Sequence, residues 1–169
     1  MLLRLWITAI ATTTLVTTGI AVKARTNSNS AEIVATAMNR FENADIGSFA
    51  ELIAPNARFE NVFNLPNTPR TFEGKDAVVA NLTGITENFE QIEFVDERLY
   101  TSEDGQTVFV EANGNFTVRG TGESYNNTYV FVFEVENGQI VAIREYNNPL
   151  IVAETFNIPL SSSTNNTSE

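Results

Sequence analysis

The second half of this chain contains three long extended segments separated only by short turns. Apolar and polar side chains largely alternate over residues 106–119, 123–136 and 139–147, which predicts three strands. The first break is Gly-Thr-Gly at residues 120–122. The second contains Asn-Gly at residues 137–138, a strong signal for a tight hairpin. This pattern predicts an antiparallel meander, and such a sheet needs other elements packed against its apolar face.

The first half of the chain supplies helical patterns and two more strands. Apolar residues recur every fourth position from residue 31 to 44, and shorter helical stripes cover residues 47–54 and 75–83. Further strands are predicted at residues 57–63 and 91–100. Helices gathered before antiparallel strands indicate an α+β domain. We expect one strongly curved sheet wrapped around the first helix, forming a cone whose open end is a pocket.

The two ends of the chain differ in character from this domain. Residues 1–24 combine a basic Arg4, an uncharged, largely apolar stretch at residues 5–22 and small residues at a cleavage site, as in an export signal. A periplasmic or secreted protein is therefore expected, and a membrane anchor formed by residues 5–22 is the alternative. Residues 25–30 are predicted to be a polar linker. The folded domain then covers residues 31–160, and residues 161–169 form a disordered tail.

The charge and the missing residue types exclude several classes of function. The chain has 21 acidic and 10 basic residues, a net charge of −11, which repels phosphate backbones and argues against nucleic-acid binding. It has no cysteine and no histidine, so disulfides and nucleophilic triads that need histidine are excluded. No spaced acidic loop and no glycine-rich phosphate loop occurs, so we predict neither a metal nor a cofactor.

Glu145 is the candidate catalytic residue, because it is an isolated carboxylate near the end of the last strand. Burial in an aromatic pocket would raise its pKa and make it a useful general acid or base near neutral pH. The alternatives are an ion pair with Arg144, Arg119 or Arg98, or simple exposure to solvent. Strand alternation does not decide between them, because the residues on the side of Glu145 are apolar while Arg144 and Tyr146 lie on the other side.

An aromatic row on the middle strand is the main candidate for ligand contact. Tyr129, Phe131 and Phe133 share one face of that strand at a spacing of two residues. Such a row suits a small apolar or aromatic ligand, although core packing alone would also explain it. The sequence leaves both interpretations open.

Four further residues are candidates for lining the pocket. Asn61 and Phe63 share one side of the first strand, and the Asn61 amide could hydrogen-bond a bound carbonyl or serve as an ordinary core amide. Glu111 and Asn113 share one side of a later strand, opposite its small apolar residues. They are expected either to line the pocket or to face a partner across the sheet.

Three pieces of the sequence resemble the NTF2-like superfamily, and within it the SnoaL-like proteins and the phenazine-biosynthesis A/B group. The pieces are GKD at residues 74–76, VEANG at residues 110–114, and residues 125–149, which run from YNN through FEVENG to REYNNP. The resemblance covers roughly residues 31–160 and implies the cone fold. It also implies dimerisation through the outer face of the sheet, so a homodimer is expected.

The resemblance transfers only part of the chemistry found in these proteins. In the phenazine A/B group a pocket glutamate in an Arg-Glu-aromatic segment acts as acid and base, and Glu145 stands in that place. The histidine that assists it from the third helix is replaced by Asn81. Ketosteroid isomerase chemistry is not expected, because the positions of its three functional residues hold Asn61, Ala37 and Phe131.

Three hypotheses for function follow from the sequence. The first is an exported domain that binds a small, largely apolar molecule in its aromatic pocket without converting it. The second is a SnoaL-like isomerase, cyclase or condensing enzyme that uses Glu145 for proton transfer. The third is a protein-interaction module that uses the sheet face.

Overall fold

The computed structural model describes residues 27–160 of the chain. The predicted export signal at residues 1–24 and the predicted tail at residues 161–169 lie outside the described residues. Between residues 27 and 160, no helix is both long enough and apolar enough to cross a membrane.

Four helices occur in the described part of the chain. They are α1 (Asn27–Glu42), α2 (Ile46–Glu51), α3 (Lys75–Glu87) and α4 (Pro149–Thr155). The helix predicted at residues 31–44 is α1, but it begins inside the expected linker at residues 25–30. The helix predicted at residues 47–54 ends earlier, because residues 53 and 54 already belong to a strand.

The last helix, α4, is absent from the sequence prediction. Its start is specified locally, since the Asn148 side chain accepts a hydrogen bond from the Leu150 backbone amide and Pro149 occupies the first turn. Seven residues are too few to show a helical period, so the Asn148-Pro149 pair is the sequence signal for this helix.

Seven strands form the sheet. They are β1 (Ile53–Asn61), β2 (Thr71–Glu73), β3 (Phe89–Gln91), β4 (Phe94–Thr101), β5 (Thr107–Val118), β6 (Ser124–Glu136) and β7 (Gln139–Tyr146). The meander predicted from the alternating pattern is β5, β6 and β7. The strand predicted at residues 91–100 is replaced by the two strands β3 and β4.

One continuous sheet joins these strands in the order β2-β1-β7-β6-β5-β3, with β4 also paired to β5. The pairing of β1 with β7 is parallel, and the other pairings are antiparallel. Register shifts within β1, β4 and the β6–β7 pair bend the sheet, as local irregularities of this kind do. The result is the expected α+β architecture, with helices packed in a strongly curved sheet.

A tight two-residue turn joins β6 to β7. Asn137 and Gly138 both have positive φ angles, 50° and 81°, which a two-residue type I′ hairpin requires. Glycine and asparagine adopt these angles at low cost. The turn sets the pairing of Glu136 with Gln139, and the register shift between Glu134 and Val135 then brings Phe131 opposite Glu145.

Strand β5 shows how the two faces of the sheet are divided. Its residues alternate strictly, with Val108, Val110 and Ala112 buried inside and their neighbours turned outward. Gly114 continues the inner row, and a Cβ atom there would lie 2.8 Å from a ring carbon of Tyr129. Glycine is therefore required at this position, because it leaves the space that the Tyr129 ring occupies.

The first helix is attached to the inner side of the sheet. The backbone amide of Phe94 donates to a carboxylate oxygen of Glu42 at 2.6 Å, and the Phe94 ring lies 6.3 Å from that of Phe41. Val34 and Ala37 of α1 are fully buried. Helix α3 packs against β1 on the other flank. The helices cover the inner face but leave a hollow beside the first part of β6 and the last part of β7.

Candidate functional site

The hollow between the helices and the sheet is a cavity of about 500 Å³. Its wall combines the aromatic rings of the sheet with side chains of α1, α3 and α4. Six of the eight sequence-predicted site residues contribute to this wall: Asn61, Phe63, Tyr129, Phe131, Phe133 and Glu145. The fold thus brings Asn61 at the end of β1, and Phe63 just beyond it, next to residues of the β6–β7 hairpin more than 60 positions later in the sequence.

Glu145 reaches the cavity because β7 lies between β1 and β6. In the parallel pairing Glu145 is the partner of Asn61, and in the antiparallel pairing it is the partner of Phe131. These three residues form a row across the sheet, with their side chains on the inner face. The next row toward the interior contains Phe59, Ile143 and Phe133. The carboxyl group therefore stands at the edge of an apolar layer.

The surroundings of Glu145 keep its carboxyl group protonated to unusually high pH. Burial against this apolar layer raises its pKa from 4.5 to about 7, because the charged form loses hydration. A hydrogen bond from the Asn147 side-chain amide, 2.6 Å from the carboxyl oxygen, opposes this shift and is the weaker effect. Near neutral pH both protonation states are populated, as a general acid or base requires.

The ion pairs that could have explained Glu145 are not formed within residues 27–160. Arg144 points to the other face and pairs with Glu134 at 3.0 Å. The Arg119 side chain donates to the backbone carbonyls of Glu87 and Phe89. Without a cation beside it, the Glu145 carboxylate has no Coulombic stabilisation, which is consistent with its raised pKa.

Aromatic rings form a continuous wall on the sheet side of the cavity. The rings of Tyr129 and Phe131 stack at 5.2 Å, and Phe133 continues the row at 6.1 Å from Phe131. The Phe94 ring meets both Tyr129 and Phe131 edge-on at 5.5 and 5.7 Å. Edge-to-face packing of this kind fixes ring positions, so the wall is a preformed apolar surface.

A polar group interrupts this wall at the end near α4. The hydroxyl oxygens of Tyr125 and Tyr129 lie 3.2 Å apart, and the Asn127 amide donates to the Tyr125 hydroxyl at 2.9 Å. All three side chains are buried. Burial raises the pKa of both tyrosines, and the negative charge of Glu145 adds to the effect, so their hydroxyls remain neutral donors.

Glu111 and Asn113 lie elsewhere, on the outer face of the sheet. Both are exposed, and Asn113 hydrogen-bonds to Asp96 and Thr128 on neighbouring strands. This corrects the expectation that they line the pocket. Burial of the valines and alanine that alternate with them determines the orientation of β5, so the polar row must face outward.

Sequence reasoning missed several residues of the cavity wall. Phe89 and Phe94 were not singled out because the break between β3 and β4 was not predicted. Phe156 follows α4, and its ring contacts Phe89 and Tyr125 at 5.9 and 6.0 Å. Asn81 also lines the cavity, and its buried side-chain nitrogen has no hydrogen-bond partner among residues 27–160. The signal for Phe156 was the Asn-Pro helix start preceding it.

The exposure of Phe63 separates it from the other wall residues. It is 56% exposed, and its ring packs edge-on against Tyr146 at 5.8 Å. It therefore stands at the rim of the cavity, whereas Phe131 and Phe133 lie deep inside. As for a metal, the described residues contain no cluster of three or more acidic side chains able to hold an ion.

A strongly curved sheet, enclosing helices and an aromatic cavity, defines the class of NTF2-like domains. Within that class the chain belongs to the SnoaL-like domain family, whose model matches residues 34–143. Protein YesE of Bacillus subtilis is 34% identical over 112 residues, which cover 66% of this chain and 76% of YesE. A PhzA/B-like protein of Pseudomonas aeruginosa is 25% identical over 122 residues, covering 72% of this chain and 86% of that protein.

Solved structures confirm the fold. A candidate isomerase from Bacillus subtilis superimposes with a TM-score of 0.71 at 30% identity, covering 79% of this chain and 97% of its own. A candidate SnoaL-like polyketide cyclase from Jannaschia sp. CCS1 gives a TM-score of 0.67 at 20% identity, covering 78% and 94%. The predicted resemblance to NTF2-like, SnoaL-like and phenazine A/B proteins is therefore confirmed.

Replacing Glu145 by glutamine should change how stability depends on pH. Because the Glu145 pKa is raised only in the folded state, the folded protein keeps the Glu145 proton between about pH 4.5 and about pH 7. The unfolded chain has already lost that proton in this pH range. Wild-type stability should be fullest below this window and fall as pH rises through it. We expect the free energy of unfolding to fall by about 2 kcal/mol. This is less than the full pKa shift of Glu145 implies, because the residue keeps some contact with solvent.

Urea unfolding at several pH values between 4 and 8 measures this effect. The Glu145→Gln variant should not lose stability in this way. Its free energy of unfolding should therefore rise relative to that of the wild type up to about pH 7. Glu111→Gln, which alters an exposed carboxyl on the outer face, is the matched control and should keep the wild-type slope. Parallel stability curves for wild type and Glu145→Gln would contradict the desolvation argument.

Proposed function

We propose that this domain binds a small, largely apolar molecule in the cavity next to Glu145. The observation that carries the proposal is a preformed cavity of about 500 Å³ with an aromatic wall and one carboxyl group at its edge. Ligand sites are typically apolar hollows of roughly 300–1,000 Å³ with a few placed polar groups. The cavity has both properties.

The depth of the site favours a compact molecule over an extended chain. Phe59, Phe133 and Ile143 are buried and form its apolar base, while Asn61 and Phe63 stand nearer the mouth. A ligand would insert an aromatic or alicyclic part against the base and hold a polar atom near Glu145. Two proteins of similar fold are named for chemistry on small molecules, as a candidate isomerase and a candidate polyketide cyclase.

Proton transfer by Glu145 is a second candidate function, and the raised pKa is the observation that favours it. A carboxyl group with a pKa of about 7 and no adjacent cation accepts and returns a proton readily at neutral pH. No histidine is available to assist it. The reaction would then depend on Glu145 and on hydroxyl or amide groups that stabilise charge on the bound molecule.

Export and dimerisation belong to the same proposal. Export rests on the signal-like residues 1–24, and amino-terminal sequencing of the protein from its own source should begin at Arg25. Dimerisation would use the outer sheet face, where the paired residues Tyr100 and Phe109 are 50% and 40% exposed. Sedimentation equilibrium should give twice the monomer mass, and Phe109→Asp should restore the monomer.

The binding proposal is tested with the fluorescent ketone 6-propionyl-2-dimethylaminonaphthalene. It should bind with saturation at one site per chain, and its emission should move to shorter wavelength because the aromatic wall excludes water. Leu82→Trp, which fills the cavity from α3, should weaken binding at least tenfold. Phe109→Ala on the outer face is the matched control. Equal affinity for wild type and Leu82→Trp would place the probe outside the cavity and refute the proposal.

The proton-transfer candidate is tested by exchange of hydrogen for deuterium in 2-tetralone. In heavy water the Glu145 carboxylate would remove a proton from the carbon beside the carbonyl, and a deuteron from solvent would replace it. Mass spectrometry should show exchange about 10²- to 10⁴-fold above buffer, rising with pH through about 7. Glu145→Gln should abolish the acceleration, and Glu111→Gln should retain it. Equal exchange by Glu145→Gln would leave a binding function alone.

A further inference from the structure

We propose that the Tyr125 hydroxyl donates a hydrogen bond to an acceptor oxygen on the bound molecule, and that Asn127 and Tyr129, which both donate to the Tyr125 oxygen, set the direction of that donor. This inference rests on the proposed function, since it concerns a ligand in the same cavity. It adds a ligand class, namely an apolar molecule that carries a carbonyl or equivalent oxygen. Four observations lead to it.

The orientation of the Asn127 amide is fixed by its neighbours. Its oxygen accepts from the backbone amides of Thr128 at 2.9 Å and Asn148 at 3.0 Å. Its nitrogen donates to the Asn148 carbonyl at 3.1 Å and to the Tyr125 hydroxyl at 2.9 Å. Backbone amides only donate, so the two ends of this side chain cannot be exchanged. The Tyr125 oxygen is therefore an acceptor toward Asn127.

The two tyrosine hydroxyls then hold one proton more than the contact between them can use. The Tyr129 hydroxyl donates to the Tyr125 oxygen at 3.2 Å, so the Tyr125 proton is left over. Neither hydroxyl has another hydrogen-bond acceptor among residues 27–160. A buried donor without an acceptor is unfavourable, so this proton needs an oxygen from a ligand or from water.

Tyr125 is the member of the pair that carries this proton. Its oxygen accepts from the Asn127 amide and from the Tyr129 hydroxyl, so its own proton is the one without an acceptor. The Tyr125 side chain lines the same cavity as Glu145. A small molecule in that cavity can therefore supply the missing acceptor oxygen.

A second unpaired donor lies on the opposite wall of the cavity. The Asn81 side-chain nitrogen, carried by α3, is buried without a hydrogen-bond partner in the described region. It arises from a different element and is independent of the tyrosine pair. Two unused donors around one cavity indicate a ligand that supplies acceptors. A carbonyl oxygen fits this requirement, and the aromatic wall fits the remainder of such a molecule.

The test compares two probes of similar shape, 2-acetylnaphthalene and 2-ethylnaphthalene, of which only the first has an oxygen. Their affinities are measured by displacement of the fluorescent ketone. Tyr125→Phe should weaken 2-acetylnaphthalene about three- to tenfold, the range for one hydrogen bond, and leave 2-ethylnaphthalene unchanged. Tyr100→Phe, an exposed tyrosine on the outer face, is the matched control and should change neither.

The infrared band of a carbon-13-labelled carbonyl group reads the hydrogen bond directly. In the wild type the bound band should lie at lower frequency than in hexane, and Tyr125→Phe should move it back toward the hexane value. Loss of affinity without this movement would indicate a purely structural role for Tyr125 and overturn the inference. A wild-type band at the hexane frequency would overturn it even if the variant failed to fold.

These outcomes are distinct from failure of the proposed function. If both naphthalenes bind with equal affinity and the carbonyl band is that of hexane, the cavity binds apolar molecules and Tyr125 donates nothing to them. If neither naphthalene displaces the fluorescent ketone from a saturable site, the binding proposal fails, and this inference fails with it.

Discussion

The site depends on the parallel pairing that inserts β7 between β1 and β6. This pairing places the Glu145 carboxyl group beside Asn61 and Phe131 and above the row of Phe59, Ile143 and Phe133. Loss of hydration there is the main cause of its raised pKa, and the hydrogen bond from Asn147 only moderates it. A carboxyl group at the same point of a flat, solvated sheet would have an ordinary pKa. The curvature of the sheet therefore contributes to the raised pKa of Glu145.

The polar groups of the cavity complement one another. Glu145 can give or accept a proton, whereas the tyrosine pair and Asn81 offer donors without acceptors. Rigid neighbours support each group, since Gly114 makes room for the Tyr129 ring and Asn127 bridges Tyr125 to the start of α4. An arrangement fixed before binding lowers the cost of ordering a ligand. This favours recognition of an oxygen-bearing apolar molecule, with or without conversion.

Much of the fold was predictable because alternation and turn chemistry are local. The hairpin of β6 and β7 follows from Asn137-Gly138, and the aromatic row follows from a spacing of two residues. Contacts between residues far apart in the sequence were less predictable. The sequence left open whether Glu111 and Asn113 line the pocket or face outward, and the burial of the apolar residues between them places them on the outer face. The Asn127 bridge joins residues 21 positions apart, and Phe156 depends on a short helix. Local patterns do not specify such contacts.

A folded, aromatic hollow holds Glu145 away from water, and the proposed chemistry depends on this burial. A carbon-13 NMR titration of glutamate carboxyl groups in the folded protein measures it, with the Glu145 resonance assigned by its loss in Glu145→Gln. This resonance should titrate with a midpoint near pH 7. A midpoint near the ordinary value of 4.5 would show a solvated carboxylate and would refute the burial of Glu145.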